Sequence, residues 1–107
     1  MGWLRRKKDG GTLRAATAAD LAHLTAFART RPGVEAFVEP RTTVTDTTLV
    51  LVAADGEWTR RRVSGPDAAE SFARKQAIPL YDAARVGYPQ RMRDWTARRK
   101  AAEADPA

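Results

Sequence analysis

The sequence predicts a single α+β domain, with an antiparallel sheet of three to four strands and about three helices in the order α-β-β-β-α-β-α. Three observations lead to this prediction. Apolar residues recur at helical spacing after Thr17 and again after Ser64, Val34 to Glu39 alternates as a strand does, and Thr47 to Val63 has the form of a β-hairpin. At 107 residues, the chain is long enough to bury one modest core.

The first helix is predicted to begin at Thr17, because Thr17 and Asp20 have the spacing of a capping box. Pro32-Gly33 is expected to end it near Arg31. Before it, residues 1–16 form a basic arm that we expect to be flexible. Residues 17–104 make up the domain, and residues 105–107 are expected to fray.

The first strand is predicted over Val34 to Glu39, with one face toward solvent and an end at Pro40. An exposed edge there offers a place for a second copy to pair. The oligomeric state stays open.

The hairpin prediction depends on Asp55-Gly56, which lies between two β-favouring runs and favours a two-residue type I′ turn. This turn pairs Leu51 with Arg60 and Val50 with Arg61. The strand from residue 49 to 52 is apolar on both faces. It is therefore either covered on both sides or leaves an apolar surface lined with arginines.

The second helix is expected to have Ser64 as its cap and Pro66 in its first turn. An extended run then follows from Ile78 to about Val86, and residues 90–104 form a third helix. We expect the helices to pack against one face of the sheet.

The amino-acid composition excludes some classes of protein and suggests the charge of a partner. The chain has no Cys, which excludes disulfides and thiol catalysis, and no apolar run of membrane-spanning length. We therefore expect a cytoplasmic protein without a membrane span, whose basic arm makes at most weak contact with a membrane surface. The net charge of +6 suggests anionic partners, but 15 Arg against 4 Lys also fits GC-rich codon usage.

Catalytic signals are weak. His23 is the only histidine, and neither Ser64 nor Ser71 lies in a nucleophile elbow. No phosphate-binding loop is present, and the scattered acids do not form a metal-ligand pattern. We therefore predict a protein that is not an enzyme and has no cofactor and no metal site.

Two groups of residues are candidates for binding. The first is an anion-binding surface of guanidinium and ammonium groups with one indole, comprising Arg60, Arg61, Arg62, Trp58, Arg5, Arg6, Lys7 and Lys8. The second is a docking segment, comprising Tyr88, Arg91, Arg93 and Trp95. The alternative is structural, because arginine stems can cover apolar neighbours and the tryptophans can anchor the hairpin and the last helix.

Four segments carry a resemblance to a family of uncharacterised actinobacterial proteins: Val34–Thr43, Val52–Arg62, Ile78–Asp82 and Gly87–Trp95. The resemblance implies no established activity. Members sometimes have the label "oxidoreductase", which does not fit a chain without a dinucleotide fingerprint or a redox cysteine. The order helix, three strands, helix is also similar to that of double-stranded RNA-binding domains, but here the second helix opens with Asp67 and Glu70.

These observations favour a small non-catalytic interaction module that presents an Arg/Trp surface to an anionic partner, an acidic protein surface slightly before a nucleic acid. General RNA or DNA binding is the first alternative, and it predicts affinity that falls steeply with salt. A small enzyme or redox protein is the second.

Overall fold

A four-stranded mixed sheet forms the centre of the protein, in a computed structural model whose described residues are 16–104. The strands are β1 (Glu35–Glu39), β2 (Thr48–Val52), β3 (Trp58–Arg62) and β4 (Leu80–Asp82). The helices are α1 (Ala18–Thr30), α2 (Pro66–Gln76), α3 (Ala83–Val86) and α4 (Gln90–Ala104). The α+β class and the predicted order of elements are thereby confirmed, and α3 is a single additional turn.

The strand order is β3-β2-β1-β4, and β4 runs parallel to β1. The prediction of an antiparallel sheet is right for β1 to β3 and wrong for β4. The reason is that α2 carries the chain across the sheet, so β4 runs in the same direction as β3 and β1. Because β1 lies between β2 and β4, the exposed edge predicted for it is wrong as well.

One face of the sheet is covered by α1 and α2 and is called the α1/α2 face here. Its core includes Leu24 and Phe27 of α1, Leu49 and Leu51 of β2, and Phe72 of α2. The predicted capping box of α1 is present, and the Thr17 hydroxyl accepts from the Asp20 amide at 3.1 Å. This face contains most of the buried apolar side chains of the described chain.

The opposite face is covered by α4 and is called the α4 face here. Phe37, Val50, Val52 and Met92 are buried there. Two predictions are therefore wrong: the helices do not all pack on one face, and the side of β1 that carries Phe37 is not open to solvent. Of the two alternatives for residues 49–52, the structure shows the strand covered on both sides, with all four side chains fully buried.

The hairpin has a three-residue loop rather than the predicted two-residue turn. The Ala53 amide donates to the Glu57 carbonyl at 2.8 Å, and Gly56 adopts a left-handed φ of +98°. A loop of this length with glycine in the left-handed region is a common alternative for Asp-Gly hairpins. Val50 consequently pairs with Arg60 and not with Arg61. This shift of one residue moves every β3 side chain to the other face.

Two further boundaries differ from the prediction. Gly65, not Ser64, is the N-cap of α2, and no side chain caps it, although Pro66 occupies the first turn as expected. The extended run ends at Asp82, because its carboxylate accepts from the Ala84 amide at 2.9 Å and begins α3. Within residues 16–104, no helix combines the length and apolar character needed to cross a bilayer.

Candidate partner-binding groove on the α4 face

The predicted arginine surface is divided between the two faces of the sheet. Arg60 points to the α4 face, whereas Arg61 points toward α1, where its guanidinium lies 3.4 Å from the buried carboxylate of Asp20. Arg62 and Thr17 line a cavity near the start of α1. The Arg62 Nε is buried there and has no hydrogen-bond partner among the described residues. The predicted arm residues Arg5, Arg6, Lys7 and Lys8 lie outside the described residues.

Glu39 is the centre of a polar cluster on the α4 face. Its carboxylate accepts two hydrogen bonds from Arg60, at 2.8 and 2.9 Å, and one from the Thr48 hydroxyl at 2.5 Å. The Tyr88 hydroxyl donates to the same carboxylate. Arg60 therefore reaches across β2 to a β1 residue and fastens the edge strand to the centre of the sheet.

The pKa values in this cluster follow from burial and hydrogen bonding. Burial alone would raise the pKa of Glu39, but the hydrogen bonds from Arg60, Thr48 and Tyr88 outweigh it and hold that pKa below its ordinary value. Burial, followed by the hydrogen bond to Glu39, raises the pKa of Tyr88 to about 12. At neutral pH the cluster is thus an ionised carboxylate with a neutral phenol.

An open groove lies beside α4, next to this cluster, and is called the α4 groove here. It has a volume of about 460 Å³ and is lined by Trp58, Tyr88, Met92, Arg93, Thr96, Ala97 and Lys100. The Trp58 indole N–H donates to the Thr96 hydroxyl at 2.8 Å, which fixes the ring against α4. The Arg60 guanidinium lies 5.4 Å from the centre of the Trp58 ring and covers it from outside.

The cations at the rim of the α4 groove are only partly neutralised. Arg60 is paired with Glu39, but Arg93 donates to the Gln90 side-chain oxygen at 2.6 Å and to the Tyr88 carbonyl, both of which are uncharged. Among residues 16–104, neither Arg93 nor Lys100 is in an ion pair. The groove therefore combines an apolar floor with a positive rim.

The predicted docking segment is likewise divided in two by the structure. Tyr88 and Arg93 line the α4 groove. Arg91 instead donates to the Glu35 carboxylate at 2.5 Å and to the Ala53 carbonyl at 3.0 Å, which ties α4 to β1 and to the hairpin.

Trp95 packs beside the hairpin tip. The contact is so close that a Cβ added to Gly56 would lie 2.9 Å from the Cβ of Trp95. Trp95 and Arg91 thus fasten the helix to the sheet.

His23 lies on the other face of the sheet, where its Nε2 is 2.6 Å from the Thr59 hydroxyl. Burial, followed by the charges of Arg61 and Arg31, lowers its pKa from the ordinary value. The part of the chain that the structure describes contains no group of His, Asp or Glu residues placed to hold a metal ion.

The α4 groove was not predicted as a unit from the sequence. Trp58 and Tyr88 were each singled out, but they belong to different candidate groups and lie 30 positions apart in the chain. Local patterns do not show that they share one surface. The available signal was the pair Met92 and Trp95 at helical spacing, which marks the side of α4 that faces the sheet.

Comparison of the chain with protein-family models, curated proteins and solved structures finds no significant match.

Proposed function

We propose that this protein is a non-catalytic interaction module that binds an anionic partner, an acidic protein segment rather than a nucleic acid, in the α4 groove. The observation that carries the proposal is an open groove that joins the apolar side chains of Trp58 and Met92 to two rim cations, Arg93 and Lys100, which have no ion-pair partner among residues 16–104. Membership of the actinobacterial family and a cytoplasmic location stay predictions, because no comparison tests them.

The apolar floor and the charged rim would contribute differently to binding. Burying one leucine or phenylalanine anchor against Trp58 and Met92 is worth about 1.5–3 kcal/mol. Each exposed ion pair at the rim is worth about 0–1 kcal/mol. The anchor therefore supplies most of the affinity, and Arg93 and Lys100 supply the preference for acidic partners and a faster association.

The position of Arg60 favours a protein partner over a nucleic acid. Single-stranded nucleic acids gain much of their affinity by stacking bases on open aromatic faces. Here the Arg60 guanidinium lies over one face of the Trp58 ring and is itself held by Glu39, while the indole N–H is bonded to Thr96. A base that stacked on this face would have to displace Arg60 from both contacts.

The test is an amide and indole NMR titration of the full, ¹⁵N-labelled chain with three probes. The first is an acidic peptide in which Asp and Glu alternate with Leu and Phe, and the second is the same peptide with Asn and Gln in place of the acids. The third is a set of short single- and double-stranded RNA and DNA. We expect saturable shifts at the Trp58 indole and at residues 92–100 with the acidic peptide only.

A matched pair of variants locates the surface. The double variant Arg93→Glu/Lys100→Glu reverses the charge of the groove rim, and we expect the acidic peptide to bind about tenfold more weakly. The control Arg29→Glu/Lys75→Glu makes the same change in charge on the α1/α2 side, where both residues line another cavity. Equal weakening by both variants would mean that only net charge matters, and it would contradict binding in the α4 groove.

General nucleic-acid binding is the second candidate, because Arg98, Arg99 and Lys100 form an exposed basic run at the end of α4. It predicts saturable binding of the oligonucleotides and a log–log salt dependence whose slope grows with the number of phosphates contacted. Tight binding of the oligonucleotides with no binding of the acidic peptide would overturn the first proposal in favour of the second. Binding of neither probe would overturn both.

A further inference from the structure

A second, smaller pocket of about 250 Å³ lies on the α4 face, above β1 and β4. It is called the aromatic pocket here, and its walls include Phe37, Tyr81, Tyr88, Val86 and Glu35. Parallel pairing of β1 with β4 places Phe37 directly beside Tyr81, and their ring centres are 5.4 Å apart. The centre of the Tyr88 ring lies 5.7 Å from the Phe37 centre.

We propose that the aromatic pocket binds a quaternary ammonium group. Two tyrosine rings that each pack against Phe37, beside the Glu35 carboxylate, provide the negative ring faces that attract such a cation. The Tyr81 and Tyr88 rings are tilted by 31° and 58° from the Phe37 ring, so the pocket has walls of different orientation rather than one flat stack. This proposal is independent of the proposed function, since it uses neither Arg93 nor Lys100.

Both tyrosines donate their hydroxyl hydrogen to a carboxylate. The Tyr81 hydroxyl makes a long hydrogen bond of 3.4 Å to Glu35, and the Tyr88 hydroxyl donates to Glu39. Donation to an anion polarises a phenol, and negative charge shifts from the carboxylate toward the ring. The ring face of Tyr88 is thereby made more attractive to a cation than that of an isolated tyrosine, whereas the long contact of Tyr81 adds little.

The carboxylate chemistry of the pocket selects the kind of cation. Glu35 already accepts from Arg91 at 2.5 Å, so it is only partly available to a second donor. A primary ammonium needs several hydrogen-bond acceptors to replace its water shell, and the side-chain oxygens at the pocket already take part in other hydrogen bonds. A quaternary ammonium has no N–H to satisfy, and the rings with one partly compensated carboxylate are sufficient for it.

The aromatic pocket is also accessible. Tyr81 is 38% exposed and Val86 is 60% exposed, and both belong to the small group of large apolar side chains that residues 16–104 leave open. Exposure of two such neighbours at one concave place is typical of a binding site rather than of scattered surface residues. The ionisable groups nearest the rings are two carboxylates, Glu35 and Glu39, each of which is paired with an arginine.

The test is an NMR titration of the full, labelled chain with four small molecules. Tetramethylammonium, choline and Nε-trimethyllysine amide carry the quaternary group, and 3,3-dimethylbutanol is the neutral isostere of choline. We expect saturable shifts at Phe37, Tyr81 and Gly87 for the three cations, with choline bound at least about fivefold more tightly than its isostere. The tighter of choline and the trimethyllysine derivative identifies the source as a small metabolite or a modified protein.

Variants of Tyr81 complete the test, because Tyr88 also lines the α4 groove. We expect Tyr81→Leu to weaken choline roughly five- to tenfold and Tyr81→Phe to weaken it about twofold, since the phenylalanine keeps the ring and loses the bond to Glu35. Leu21→Ala, an exposed position on the α1/α2 side, serves as the control and should change nothing.

Equal binding of choline and 3,3-dimethylbutanol would overturn the proposal, as would the absence of saturable shifts with any of the cations. Neither outcome bears on the acidic-peptide titration, which has different probes and different variants.

Discussion

The two faces of the sheet are held in different ways, although they share the same central strand. On the α1/α2 face, Leu49 and Leu51 pack against two helices in a cluster of ten buried hydrophobic residues. On the α4 face, the corresponding cluster within residues 16–104 has four buried members, Val50, Val52, Phe37 and Met92, with partly buried side chains around them. The second face therefore cannot depend on apolar burial alone for its stability.

Charged hydrogen bonds stabilise the α4 face, which has fewer buried apolar side chains. Glu39 accepts hydrogen bonds from Arg60, Thr48 and Tyr88, and Glu35 accepts one from Arg91 of α4. Such bonds are directional, and they fix side chains without filling the space around them. Cavities lie on both sides of the sheet, but those on the α4 face are lined by Trp58, Tyr81 and Tyr88. The α1/α2 face therefore provides most of the apolar burial, and the α4 face brings aromatic rings to its cavities.

The largest expected difference between the faces concerns their cores. Leu51→Ala should lower the free energy of unfolding by about 4 kcal/mol, because Leu51 is fully buried beneath α1 and α2. Met92→Ala should cost about 2 kcal/mol, because Met92 borders the open α4 groove and water can enter the space left behind. Urea unfolding of both variants measures the difference.

Val44→Ala is the surface control for this pair, since Val44 is 68% exposed, and it should change stability by less than about 0.5 kcal/mol. If Met92→Ala lowers the free energy of unfolding as much as Leu51→Ala does, the two faces contribute equally to stability, which would contradict the proposed difference between them.

The next prediction concerns the attachment of α4 to the hairpin. Gly56→Ala should destabilise the protein by about 3 kcal/mol. A Cβ there would lie 2.1 Å from the Arg91 carbonyl oxygen, and the φ of +98° is itself unfavourable for alanine. Hydrogen exchange should show the loss mainly in α4, with α1 still protected.

Gly65→Ala is the matched control, because its backbone is extended and a Cβ there meets nothing within 4 Å. We expect it to cost about 0.5 kcal/mol or less. Loss of protection spread evenly over both faces in Gly56→Ala would show that α4 does not unfold separately.

The sequence predicted elements whose signals are local. The Thr17–Asp20 capping box, the existence of the hairpin and the position of Pro66 each depend on residues within a few positions of one another. The hairpin register was wrong because Asp55-Gly56 is compatible with both two- and three-residue loops. Gly56 also lies against Arg91 and Trp95 of α4, a contact far along the chain that the local pattern does not show.

The α4 face could not be predicted because its bonds join distant parts of the chain. Glu39 and Tyr88 are 49 positions apart, and Glu35 and Arg91 are 56 apart. Read locally, Glu35 and Glu39 indicate a solvent-facing strand, and Arg60 to Arg62 indicate one basic surface. The structure instead uses the acids to hold arginines in place, which leaves Arg93 and Lys100 as the cations available at the α4 groove.

The smallest expected effect tests whether charge stabilises the α4 face. Glu39→Gln should lower the free energy of unfolding at pH 7 by about 1.5–2 kcal/mol, because Arg60 loses an ionised acceptor. Leu24, Phe27 and Phe72 lie on the α1/α2 face away from Glu39, so their amides should keep their chemical shifts.

The pH dependence of this effect has a definite sign. The folded-state pKa of Glu39 is lowered below the ordinary 4.5, so the unfolded chain takes up the proton first as the pH falls. The stabilisation by ionised Glu39 is therefore complete well above pH 4.5 and is lost progressively below it. Unfolding curves of wild type and Glu39→Gln should converge between neutral pH and about pH 3. A difference in unfolding free energy that stayed constant over this pH range would mean that Glu39→Gln destabilises the protein through altered packing and not through lost charge. The α4 face would then depend on packing, as the α1/α2 face does.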